Sequence, residues 1–155
     1  MKFKFLAPIL FLSLIFSCSV DNADPEVDTL EAQSVEIFQW HLTNVSGGIA
    51  GVDVNFEVDT IVWVFNVDFV GNGTLKVLNN NTDTSLEDGL DTGTYSISIP
   101  VYGTQSIIFI DGEEYAGLLT PTEEDLIINQ NIKSDGAAAT DGFIYTFKRR
   151  IVTDD

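Results

Sequence analysis

The stretch Thr94–Leu119, TYSISIPVYGTQSIIFIDGEEYAGLL, decides the fold. Its first residues alternate strictly, with Tyr95, Ile97 and Ile99 on one side and Thr94, Ser96 and Ser98 on the other. Successive side chains of an extended chain point to opposite faces, so this pattern predicts a half-buried strand and not a helix. Two further apolar runs follow, Ser106–Ile110 and Glu114–Leu119, separated by a turn that contains Asp111-Gly112. That dipeptide favours a type I′ hairpin, because glycine accepts positive φ at little steric cost.

Working outward, the same signature recurs. Before this stretch lie Glu36–Val45, Ile61–Val67 and Thr74–Leu78; after it come Asp125–Asn129 and Gly142–Arg150. Phe38, Trp40 and Leu42 share one face of the first strand, and Phe143, Tyr145, Phe147 and Arg149 share one face of the last. Ile61–Val67 is apolar on both faces, and no segment keeps a 3.6-residue period. The expectation is an all-β domain of eight antiparallel strands in an up-and-down meander. Closure into a barrel would remove the exposed edges that invite aggregation. A β-sandwich of similar strand number is the alternative. Ser46–Thr60 and Asp135–Thr140 read as loops.

The amino terminus has a different character. Lys2 and Lys4 precede an apolar run from Phe5 to Phe16, which is too short for a stable transmembrane helix and of the size of a signal-peptide core. It ends Leu14-Ile15-Phe16-Ser17-Cys18, which resembles the lipobox of bacterial lipoproteins. That resemblance implies cleavage before Cys18 and attachment of diacylglycerol to its thiol. Cys18 is the sole cysteine and has no partner for a disulfide within the chain. The acidic, polar stretch after it reads as a solvated tether. The organisation expected is therefore a signal peptide over 1–17, a lipidated cysteine and linker over 18–35, and a β domain over 36–155. The location expected is the bacterial cell envelope, lipid-anchored at the outer membrane.

The formal charge of −17 narrows the partners. Loss of Lys2 and Lys4 would leave five cations against 24 anions. Such a surface repels phosphate backbones, so nucleic acid is not an expected partner. The membrane is expected as a partner only through lipid on Cys18.

Catalytic chemistry finds no pattern. No nucleophile elbow, phosphate-binding glycine loop or dinucleotide fingerprint is present, so no enzyme activity and no cofactor is expected. His41, the single histidine, alternates to the face opposite Trp40 and is expected at the surface. Oxygen-rich turns at Asp53 and Asn55, Asn79–Asp83 and Asp111–Glu114 match no calcium loop, and the tolerance of Asn, Asp and Gly for tight backbone angles explains them. No metal site is expected.

In strand order, Glu36 to Ile151 resembles the lipocalin-like (calycin) family of eight-stranded barrels, and most closely the small lipocalin-like lipoproteins of bacterial envelopes. The resemblance implies that Trp40 closes the barrel base and that Arg149 packs across it, a guanidinium stacked on an indole. It also makes Ser46–Thr60 the large first loop that overhangs the open end. A small apolar or amphipathic ligand is implied at that mouth, with Tyr95, Tyr102 and Tyr145 as ligand-contacting candidates. Inward aromatic residues, among them Phe38, Phe109 and Phe143, would fill the Trp40 end. Two functions stand against each other at this stage: a ligand-binding module, and a structural or interaction module with a filled barrel.

Overall fold

A computed structural model describes residues 35–120, 122–137 and 139–154. The signal peptide, Cys18 and most of the linker lie outside the described residues. Ten strands run in chain order: β1 (Val35–Gly47), β2 (Val52–Asn55), β3 (Ile61–Val67), β4 (Asn72–Asn79), β5 (Gly93–Ser98), β6 (Val101–Tyr102), β7 (Gln105–Ile110), β8 (Glu113–Leu119), β9 (Asp125–Asn129) and β10 (Phe143–Asp154). Eight of them form a closed antiparallel ring in the order β1-β3-β4-β5-β7-β8-β9-β10, and β10 pairs back onto β1 from Val35↔Asp154 to Gly47↔Phe143. This closure excludes the sandwich. All eight expected strands are present and supply the ring.

The two remaining strands come from segments expected to be loops or turns. β2 folds back on the last residues of β1, and β6 forms a short hairpin with β7. The β1–β2 turn is tight because Gly47, Gly48 and Gly51 all adopt positive φ. Ser46–Thr60 is therefore a folded hairpin arm and a short return, not a long overhanging loop. The Asp111-Gly112 turn has φ of 51° and 86°, as a type I′ hairpin requires.

Two bulges set which side chains face inward. The shift between Leu42 and Asn44 lets both Leu42 and Val45 enter the core. The shift beside Phe109 leaves Tyr115 as the extra residue of β8, next to buried Ala116. Trp63, from the strand that is apolar on both faces, sits at the centre, 5.0 Å from Phe147 between ring centroids. Full burial of side chains this large contributes about 1.5–3 kcal/mol each.

His41 differs from its expected place. It faces outward from the ring yet is only 1% exposed, beside its buried register partner Val62. The connection from β2 to β3 returns across it, and the Asp59 backbone N–H donates to His41 Nδ1 at 3.3 Å. The sheet has a second side here, which strand alternation alone does not show.

Candidate functional site

The meander places its connections at two ends. The β1–β2, β4–β5, β7–β8 and β9–β10 connections share one end; the β3–β4, β5–β7 and β8–β9 connections share the other, with Val35 and Asp154.

The first end is closed. Between β4 and β5 the chain folds inward over residues 80–92, and Leu90 packs on the core. Gly89, at φ 90°, brings its backbone into van der Waals reach of the Trp63 and Tyr145 rings. The Tyr145 hydroxyl donates to Glu87 Oε1 at 2.8 Å, and Gly89 N–H donates to the same oxygen at 3.2 Å. Tyr115 stacks on Tyr145 with centroids 6.2 Å apart, completing an aromatic plug. Burial pushes the Tyr115 phenol up to about 12, and Tyr145 is raised further by burial and by its neighbours Tyr115 and Glu87. Both therefore remain neutral hydrogen-bonding groups.

The outer part of this loop holds a concavity of about 520 Å³, with Asp83, Asp88 and Asp91 on its walls. Two of these carboxylates already serve the loop. Asp83 accepts from Ser85 N–H and Oγ–H, bonds that hold its carboxyl below the usual range, and Asp88 accepts from Asn81 at 2.8 Å. Likewise Asn44 donates to Asp53 and Asn55 across β1 and β2. Among the described residues no group of three or more His, Cys, Asp or Glu could hold a metal. These oxygens build turns.

The second end is open and apolar. A cavity of about 150 Å³ is lined by Trp40, Phe65, Val67, Ile99, Leu118, Thr120 and Leu126. A concavity of this size, mainly apolar and open at the barrel end, matches a benzene-sized guest or a short piece of acyl chain. Phe65 also lines a cleft of about 390 Å³ between Glu36–Phe38 and Val64–Asn66. The cleft exists because β1 and β3 pair only at Trp40↔Trp63 and His41↔Val62 and part beyond them. Arg149 is the register partner of Trp40 and lies on the same side of the sheet. Its guanidinium sits over the Phe38 ring, 5.3 Å from the centroid, and among the described residues its ion-pair partner is exposed Glu123 at 4.0 Å.

The sequence-level candidates are thus divided between the ends. Trp40 and Arg149 meet at the open end, but the guanidinium stacks on Phe38 and not on the indole. Trp40 lines a cavity where a filled base was expected. Tyr145 is buried in the closed end, and Tyr95 packs against the core with its hydroxyl donating to Asp91 O at 2.9 Å. Tyr102 is exposed on β6 at the open rim, 6.4 Å from Phe109. The three tyrosines share no site. The mouth expected under Ser46–Thr60 and near Tyr102 does not exist as one place, because those segments lie at opposite ends. Glu87, Gly89 and Leu90 escaped sequence reading; the only signal was two leucines, Leu86 and Leu90, in an otherwise polar stretch.

No family model matches the chain, and neither a curated protein nor a solved structure does. The eight-stranded antiparallel barrel is compatible with a calycin-like fold.

Proposed function

We propose that this protein is a lipid-anchored lipoprotein of the bacterial envelope, held at the outer membrane through Cys18, whose barrel holds a small apolar or amphipathic molecule at the Trp40 end. The carrying observation is the apolar concavity bounded by Trp40, Phe65, Ile99 and Leu126, whose wall includes only one hydroxyl residue, Thr120. Binding sites of this kind are concave, mainly apolar, and oriented by a few polar groups. Arg149 is the polar group in question. A carboxylate head at the lip would gain a charge-assisted bond to it, while an uncharged head would not. Neither reading of the site calls for a reaction step, so the proposed role is not enzymatic.

Dodecanoate and dodecanol, titrated against the full chain, test the reading. Dodecanoate is expected to shift Trp40 emission, Arg149→Gln to weaken dodecanoate while leaving dodecanol unchanged, and Trp40→Phe to remove the signal. Unaltered emission with both compounds, together with no small molecule carried by the purified protein in native mass spectrometry, refutes it. A second reading, an interaction module of the cell surface, is favoured by the plugged closed end and the apolar residues exposed around the open one.

A further inference from the structure

We infer that the open end of the barrel is a docking surface for an uncharged or zwitterionic lipid bilayer. Its orientation rests on the lipid-anchor reading above. Phe69 is fully exposed at the tip of the β3–β4 turn, with Val70 beside it. Val101 projects from β6, and Phe38 and Ile151 are exposed on the paired ends of β1 and β10. These residues come from distant parts of the chain and meet on one rim. Of the exposed large hydrophobic side chains among the described residues, only Ile49, Val58 and Leu78 lie away from that rim.

Exposed apolar side chains gathered at one end of an otherwise acidic protein mark a surface suited to leaving water. Two observations choose lipid as its occupant. The first is where the chain enters: β1 begins at Val35 on this rim, and Cys18 lies seventeen residues earlier. The tether, at most about 60 Å when fully extended, joins the fold at this end, so acyl chains on Cys18 would hold the open end nearer the bilayer on average than the plugged one. The second is charge. Glu36, Asp68, Glu123 and Glu124 lie near the rim beside Lys148, Arg149 and Arg150, but the whole chain carries −17, so the net field opposes an anionic surface and does not oppose phosphatidylcholine. The cavity opens at this same end, so an apolar guest would pass between bilayer and barrel without crossing water.

Two tryptophan reporters on opposite exposed turns test this, Phe69→Trp at the open end and Ile49→Trp at the closed end. Each is placed in the full protein, purified from the envelope and reconstituted into phosphatidylcholine vesicles with brominated acyl chains. The unsubstituted protein supplies the background of Trp40 and Trp63. Docking predicts that the Phe69→Trp reporter loses most of its emission while the Ile49→Trp reporter keeps its own, and that phosphatidylglycerol in the vesicles reduces the difference. Equal quenching, or none, overturns the inference. So does a Phe69→Trp emission that is shielded in solution in proportion to protein concentration, which would assign the rim to a second copy of the chain. The mass of the amino-terminal peptide judges the anchor separately; in a chain without acylation, added to the same vesicles, the same pair of reporters still decides docking.

Discussion

The two ends of this barrel are made of similar materials and behave in opposite ways. Each has aromatic side chains on inward faces: Tyr115, Phe143 and Tyr145 at one end, Phe38, Trp40 and Phe65 at the other. At the closed end a polar segment turns inward and gives Tyr145 a carboxylate to bond, so the rings can be sealed from water without an orphaned hydroxyl. At the open end the β3–β4, β5–β7 and β8–β9 connections are short, and among the described residues the rings of Trp40 and Phe65 stay only partly buried around a gap. Whether an aromatic layer becomes core or pocket depends on what the connections supply above it.

The contrast should be largest in stability. Tyr145→Ala is expected to cost about 3–5 kcal/mol, the range for large aromatic deletions from a packed core. Trp40→Ala, already beside a cavity, should cost roughly 1–3 kcal/mol because part of its surface is not buried. Urea unfolding of both variants measures this, and equal losses would erase the distinction between the ends. Next, Glu87→Ala should cost about 1–3 kcal/mol by leaving the buried Tyr145 hydroxyl unpaired. Hydrogen exchange should show the loosening confined to residues 80–92 and the plug; an unchanged pattern would mean the loop is not held by this bond.

The wall between the ends should respond to acid. Burial holds the His41 imidazole below its ordinary value of 6.5; Asp59 opposes the shift and Arg150 adds to it. A folded-state pKa lower than the unfolded one means that the unfolded chain binds the proton more readily. The contribution is therefore complete above pH 6.5 and declines as pH falls toward the folded value. His41→Gln should flatten that part of the stability profile, and a wild-type profile already flat below 6.5 would contradict it. The smallest effect belongs to the rim. Phe69→Ser should change stability by less than about 0.5 kcal/mol, as a fully exposed residue, and a larger loss in thermal unfolding would show that Phe69 packs on the barrel.

Strand identity was legible because period-two alternation is local. Tyr95, Ile97 and Ile99 announce a strand whatever lies beside them, and Asp111-Gly112 announces its turn. The seat of the cavity was not legible. Trp40 and Tyr145 look alike in sequence, each an aromatic on an apolar strand face, and only the course of residues 80–92 tells them apart. His41 misled for a related reason: alternation places it outside the barrel, but a second layer from the β2–β3 connection covers that outer position. β2 and β6 were missed because two to four residues are too few to show a period.

What the sequence determined by itself is the set of eight strands, their antiparallel order and the acidic surface, since backbone alternation, turn preference and charge act over a few residues at a time. What only the tertiary structure decided is which end is sealed and which is open, and that Trp40 and Phe65 line one mouth with Arg149 paired beside Trp40. Those outcomes follow from ring closure of β10 on β1 and from one loop filling one end, contacts between residues tens of positions apart that no local pattern encodes.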